Sequence, residues 1–344
     1  MQDNAISSLE QTLIRGSGRA LWLIDEQTDV TQFSSMANNS ELQCLTNRID
    51  QLSILETFNI DSRINDFDIS GIAAPQRIFH RISKQKALVH HIINQAADLL
   101  PANGELWLSG FKSEGIKTYL KKAQDRLGGS LDIKRGKNSL YTGSISMGRK
   151  GNVLKDDDYA VIRPAVHEDD KDYYSKPGVY GWQKIDSGSR ILKQQLIEAI
   201  APTEKSLEIL DLGCGYGYLS VAASALGKTS ITATDNNLAA ISSCRKNFEI
   251  HNITGQCVLA DCGEGIDQLF DLVICNPPFH QGFSVDGDLT ERFLTSARNH
   301  LKKDGMALFV VNEFIALPKK ASALSFKVSE LSHQSGFRVY KLNL

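Results

Sequence analysis

Three glycines at alternate positions constrain this chain more than any other feature. The segment Leu207-Glu-Ile-Leu-Asp211-Leu-Gly213-Cys-Gly215-Tyr-Gly217, followed by Tyr-Leu-Ser-Val-Ala-Ala, reads as a strand, a glycine turn and the opening of a helix. Glycines let the backbone approach a ligand closely and take up φ values that other residues resist. The helix that follows starts with unpaired N–H groups. A dinucleotide fold would space its glycines G-x-G-x-x-G to hold a pyrophosphate. Here the spacing is G-x-G-x-G, with the acid Asp211 two residues before the first glycine.

That acid repels a pyrophosphate but attracts the ammonium or sulfonium end of S-adenosylmethionine (SAM). The next two apolar runs also end in acids. Ser230-Ile-Thr-Ala-Thr234 ends at Asp235-Asn236, where a carboxylate accepts from both ribose hydroxyls. Gln256 to Ala260 ends at Asp261-Cys262, where an acid would meet an adenine amine and a backbone N–H the ring. We therefore expect a SAM site built from Asp211, Gly213, Gly215, Gly217, Asp235, Asn236, Asp261 and Cys262, with a nicotinamide site as its competitor.

A fourth apolar run, Asp271-Leu-Val-Ile-Cys275, leads into Asn276-Pro277-Pro278-Phe279. Two successive prolines fix φ and remove two backbone donors. Acceptors remain: the Asn276 side-chain oxygen and the Pro277 carbonyl. They suit a substrate carrying an NH2 group, with Phe279 as a stacking surface for a flat ring. Asn276, Pro277, Pro278 and Phe279 are the expected catalytic residues. A base paired in a helix would have to be extruded first, and stacking on Phe279 offsets the lost base stacking. His280 is a further candidate for touching a nucleotide, though a surface role suits it as well.

The rest of the chain reads as α/β. Ala20 to Asp25 has the pattern of a buried parallel strand, and Glu41 to Leu55 and Lys86 to Leu100 have helical spacing. Glu105 to Ser109 reads as a strand, Glu114 to Leu127 as a Lys-rich helix, and two strands follow Gly128-Gly129. The end of the chain repeats this order: a helix from Leu294 to Leu301, a strand from Met306 to Val311, a helix from Lys319 to Ser335, Gly336 as its cap, and a strand from Phe337 to Leu342. The expectation is a duplication: a first domain over 1–150 without a cofactor site, a linker over 151–175 and a catalytic domain over 176–344. After Asp25 the first copy has Glu-Gln-Thr-Asp-Val in place of the glycines, and around Pro75 it lacks an Asn-Pro-Pro-aromatic.

Composition fits a soluble globular protein, at 42% hydrophobic and 23% charged residues. The longest apolar stretches are strand-length, so no membrane partner is expected, and MQDNAISSLEQ lacks the pattern of a signal peptide. Six scattered cysteines suit buried thiols in a reducing cytoplasm, and neither they nor the histidines have metal-ligand spacing. Net charge is −2, but eleven Lys or Arg face three acids between Lys112 and Lys155, and seven acids follow from Asp156 to Asp172. Lys134, Arg135 and Lys137 are therefore candidates for a local basic surface that meets RNA.

With DLGCGYG (Asp211 to Gly217), NPPFHQG (Asn276 to Gly282) and PGVYGWQKIDSGSRILKQQL (Pro177 to Leu196), the chain resembles the ribosomal RNA small subunit methyltransferase C family. The resemblance implies two tandem class I (Rossmann-like) SAM-methyltransferase domains, the first degenerate and assisting RNA binding. It implies methylation of a guanine N(2) amine, position 1207 of 16S rRNA in the small ribosomal subunit; apart from the resemblance, we expect a cytoplasmic monomer. It also brings Asp186, with Gly188 and Ser189, to the cofactor. One departure is Tyr180-Gly181, where the family carries Phe-Ser. The large subunit methyltransferase G family, acting on 23S rRNA, shares NPPFH and the duplication. DNA-adenine and protein-glutamine enzymes more often carry Tyr at the position of Phe279.

Overall fold

The computed structural model describes residues 3–200, 205–277 and 285–344, and its contacts divide into two units, Met1–Val161 and Ile162–Leu344. In the first unit the strands are β1 (Ala20–Ile24), β2 (Leu42–Thr46), β3 (Asp61–Ile64), β4 (Arg77–Arg81), β5 (Glu105–Phe111), β6 (Gly128–Arg135) and β7 (Leu140–Met147). Their helices are α1 (Asn4–Arg15), α2 (Ile49–Thr57), α3 (Lys86–Leu99) and α4 (Ile116–Leu127). The sheet order is β3-β2-β1-β4-β5-β7-β6, parallel except for β7, which runs antiparallel to both β5 and β6.

The second unit opens with the hairpin β8 (Arg163–Glu168) and β9 (Lys171–Ser175), followed by α5 (Ser187–Ala199). Then come β10 (Leu207–Leu212), α6 (Tyr218–Ala223), β11 (Thr229–Asp235), α7 (Leu238–Ile250), β12 (Gly255–Leu259) and β13 (Phe270–Cys275). The unit closes with α8 (Val285–His300), β14 (Leu301–Asn312), α9 (Leu317–Ala323), β15 (Lys327–Gln334) and β16 (Phe337–Asn343). The sheet order is β12-β11-β10-β13-β14-β16-β15, with β16 antiparallel to both neighbours. This is the order of the first sheet strand for strand. Both units thus share one Rossmann-like topology, and the duplicated α/β fold expected from the sequence is present.

Why the first-read strands are so apolar follows from this order. β1 and β10 each lie between two parallel neighbours, so both faces are covered and the run needs no polar alternation. Trp22 on β1 is fully buried, with its ring 4.7 Å from Phe33 and 5.6 Å from Phe79. The order also fixes where a ligand can sit. Strand order reverses beside β10, and the crevice at the carboxyl ends of β10 and β13 is the binding position of open α/β sheets.

Three segments differ from the sequence reading. Glu41 to Leu55 is not one helix: Leu42 and Leu45 lie on β2, and α2 starts at Ile49. Because β2 is inside the sheet, its apolar residues on both faces mimic helical spacing. Lys319 to Ser335 is also split. The helix α9 stops at Ala323, Ser325 takes φ 66°, and Lys327–Gln334 is the edge strand β15. An edge strand with one solvated face carries too little apolar signal to be told from a polar helix. The stretch 151–175 read as linker carries β8 and β9, which belong to the second unit.

Candidate active site

The glycine turn is folded by hydrogen bonds to β11. The Gly213 and Cys214 N–H groups both donate to the Thr234 carbonyl at 2.8 Å, and Gly215 N–H donates to Asp235 Oδ2 at 3.0 Å. Gly213, Gly215 and Gly217 have φ values of 80°, 55° and 89°, the left-handed region where a side chain is strained. Sterics separate the last two. A Cβ on Gly217 would lie 2.7 Å from Cys244 Sγ, whereas one on Gly215 would meet no atom of the described residues within 4 Å. Gly217 therefore serves packing, and Gly215 borders open space.

Asp211 is 1% exposed. Its Oδ2 accepts from Ser220 Oγ at 2.6 Å, while Oδ1 is buried without a partner among the described residues. Burial pushes the carboxyl up to about 7, against the opposing pull of the Ser220 bonds. Asp235 ends β11, and its Oδ1 accepts from Asn237 N–H at 2.9 Å. Asn236 lies between them, half-buried. Asn237 caps α7 by accepting from Ala239 N–H at 2.8 Å, and its Nδ2 donates to the Gly178 carbonyl at 3.1 Å. That bond ties the segment before α5 to the turn after β11. Asp261, beyond β12, forms an ion pair with Arg292 of α8. Cys262 takes φ 47°, and its carbonyl accepts from Ser296 Oγ at 2.6 Å. The carboxylate expected to meet an adenine amine thus has an arginine partner.

These residues fit SAM. An unpartnered buried carboxylate oxygen calls for a nearby cation, the space beside Gly215 admits a ligand, and a carboxylate stands at the end of β11.

Asn276 follows β13. Its Nδ2 donates to Asp186 Oδ2 and to Ser189 Oγ, both at 2.8 Å. Asp186 is the N-cap of α5, and the same Oδ2 accepts from Ser189 N–H at 3.0 Å. A carboxylate only accepts, so the amide must turn its NH2 to Asp186 and leave Oδ1 as its remaining acceptor. Asp186, brought to the cofactor by the family resemblance, is thereby joined to Asn276. Pro277 is buried. Pro278, Phe279 and His280 lie outside the described residues.

In the first unit, side chains link the turns at the carboxyl ends of β1 and β2. Gln51 of α2 donates through Nε2 to the carbonyls of Asp25 (2.8 Å) and Thr28 (3.0 Å), and its Oε1 accepts from Thr46 Oγ1 at 2.6 Å. β2 leads into Thr46-Asn47, without a carboxylate. At the end of β4, where β13 has Asn276, the buried Arg81 pairs with Asp3 (2.9 Å) and Glu114 (2.8 Å). Pro75 precedes β4, so it is not the counterpart of the Asn-Pro-Pro turn. Lys134 and Arg135 on β6, and Lys137 just after it, are exposed, with Lys134 Nζ 5.9 Å from the Trp107 ring centroid. His90 and His91 serve the fold: His90 Nδ1 lies 2.6 Å from the Lys155 carbonyl, and His91 stacks on Tyr159 at 4.7 Å.

Sequence reasoning missed Ser220, Asn237 and Arg292, and it gave Ser189 no contact with Asn276. Asp186 and Asn237 each precede an apolar-periodic run, so their capping roles were open to a reading of helix starts. Ser220 and Arg292 act through partners distant in sequence and carry no such signal.

Comparison with known proteins agrees with this geometry. Residues 171–341 match the model of the methyltransferase small domain. The ribosomal RNA small subunit methyltransferase C of Pseudoalteromonas translucida is 28% identical over 280 residues, covering 80% of this chain and 77% of that protein. The enzyme of the same name from Marinomonas sp. is 29% identical over 286 residues, with the same coverage. Among solved structures, the T. thermophilus 16S rRNA N2 G1207 methyltransferase in complex with AdoMet and guanosine superposes with a TM-score of 0.83. That match covers 99% of this chain and 92% of that one at 21% identity, and so speaks to the fold. The chain is similar over about four fifths of its length to the ribosomal RNA small subunit methyltransferase C enzymes, and its second unit carries the methyltransferase small domain.

Proposed function

We propose that this protein methylates the exocyclic N(2) amine of a guanine in 16S rRNA, at the nucleotide numbered 1207 that the T. thermophilus enzyme is named for. The observation that carries the reading is the fixed amide of Asn276, whose NH2 is engaged by Asp186 and Ser189 so that its oxygen is left to accept. SAM supplies an electrophilic methyl group. Asp211, the turn from Gly213 to Gly217, Asp235 and Asn236 hold that cofactor, with Asp261 and Cys262 on its adenine side. Asn276 Oδ1 and the Pro277 carbonyl each accept one hydrogen of the guanine amine. That pairing turns the nitrogen lone pair out of conjugation with the ring and holds it in the direction of attack. Orientation of this kind replaces a strong base. Phe279 and His280 contact the extruded nucleotide.

On the same proposal the first unit contributes binding rather than chemistry, with Lys134, Arg135 and Lys137 on RNA phosphates. The small-subunit name of the relatives favours 16S over 23S rRNA. No helix among the described residues is long and apolar enough to cross a membrane, and the proposal places the protein in the cytoplasm as a monomer. Mass-spectrometric mapping of methylguanosine in rRNA from cells with and without the gene tests it. Loss of one N(2)-methylguanosine from 16S rRNA is the expected result, and loss from 23S rRNA alone would overturn the assignment.

A further inference from the structure

The Asp186 side chain has more capacity than its known bonds use. Oδ2 takes both Ser189 N–H and Asn276 Nδ2. Oδ1 has no hydrogen bond among the described residues, and the side chain is half-buried, reachable from solvent. A carboxylate joined at 2.8 Å to the amide that would receive the substrate amine is a second acceptor in the same small site. It is also negatively charged, which no ring-nitrogen lone pair tolerates at close range.

We propose that Asp186 is a specificity-determining residue, accepting the guanine N1–H through Oδ1 while its Oδ2 fixes the Asn276 amide. The inference rests on the guanine reading above and extends it. Guanine presents two adjacent donors, N1–H and the N(2) amine. Adenine and cytosine carry an acceptor nitrogen next to their exocyclic amine. Two acceptors side by side therefore bind the guanine edge and repel the other two. A site whose polar groups must be satisfied by the substrate rejects an analogue that cannot satisfy them far more strongly than a shape-based pocket does. The cap role adds economy: Asp186 starts α5, so the reading group is anchored to a helix rather than to a loop. Ser189 is a positioning residue, since it reaches the substrate only through Asn276.

The test uses the full chain and 16S rRNA ligated to carry either guanine or 2,6-diaminopurine at the target nucleotide. The analogue keeps the N(2) amine but turns N1 into an acceptor. For the unaltered protein kcat/KM on guanine should exceed that on diaminopurine by about 100-fold or more. Asp186→Asn retains a strong N-cap and offers an NH2 to N1, so the ratio should fall to about tenfold or less, mainly by loss on guanine. SAM affinity, measured by calorimetry, should stay within about twofold. If the Asn variant does not fold, Asp186→Ser, another good cap, must likewise narrow the ratio. An unchanged ratio, or a loss of SAM affinity with the ratio intact, overturns the proposal and returns Asp186 to the cofactor. Failure of the unaltered protein to methylate guanine would instead overturn the proposed function, a separate result.

Discussion

Gly217→Ala tests whether the cofactor turn is shaped by packing as well as by backbone freedom. The position has φ 89°, and an added Cβ would lie 2.7 Å from Cys244 Sγ, inside van der Waals contact. Left-handed backbone costs an alanine about 1–2 kcal/mol. Forcing a methyl into a filled core adds about 1–3 kcal/mol, so the variant should lose roughly 2–5 kcal/mol. Gly215→Ala is the control. It has φ 55° and open space at its Cβ, so it carries the strain alone, about 1–2 kcal/mol. Its effect should fall on binding instead, because the methyl projects into the space left for the cofactor, with SAM affinity reduced by about tenfold or more. The second half of the experiment removes the collision. Cys244→Ala deletes the sulfur and by itself costs about 1–2 kcal/mol for the buried cavity. In the double variant Gly217→Ala/Cys244→Ala the two changes share one site, so they should couple favourably by about 1–3 kcal/mol. Urea unfolding of the four proteins, followed by SAM titration, measures both quantities. Strict additivity would refute the packing role of Gly217, and a Gly215→Ala variant with full SAM affinity would move the cofactor away from that turn.

Asn276→Ala should abolish methylation while leaving SAM affinity nearly unchanged; a comparable loss of SAM binding would move Asn276 from substrate to cofactor. Burial raises the Asp211 carboxyl to about 7, so the unliganded fold loses stability as pH climbs from the ordinary carboxylate range towards 7. A cationic ligand end lowers that value, so SAM should bind about tenfold more tightly at pH 8 than at pH 6; Asp211→Asn should flatten this dependence, and an unchanged slope would acquit Asp211. Replacing Lys134, Arg135 and Lys137 by Gln should weaken RNA binding and reduce the slope of log affinity against log salt by about 2–3; an identical slope would show that these residues meet no phosphate.

The chemistry-bearing ends of the second sheet were legible because their constraints are local. A glycine turn, a strand-end acid and a proline pair each declare themselves within a few residues. Asp211, Asp235 and Asn276 stand out in the sequence that way. What stayed hidden is whatever depends on a partner far along the chain. Asn276 meets Asp186 across 90 residues, Asp211 owes its environment to enclosure by the whole sheet, and Arg292 reaches Asp261 across 31. Burial also erased signals. The two-faced apolar pattern of β2 passed for a helix, and the polar edge strand β15 for the tail of one. In the first unit the missing glycines predict a lost cofactor site, but not the bonds that Gln51 and Arg81 make at the strand ends.

The internal bonds of the first unit bear on how the molecule would respond to its methyl donor. A ligand stabilises only the form that binds it, by about 2.7 kcal/mol at a hundredfold excess over Kd. With SAM bound as proposed, the benefit falls on Ile162–Leu344, whereas Met1–Val161 carries permanent internal bonds from Gln51 and Arg81 at the corresponding strand ends. On that proposal, scarcity of SAM lowers the heat resistance and protease resistance of the second unit while the first keeps its full strength. The duplication would then yield two copies of one fold, with the stability of the second alone tracking the supply of the methyl donor.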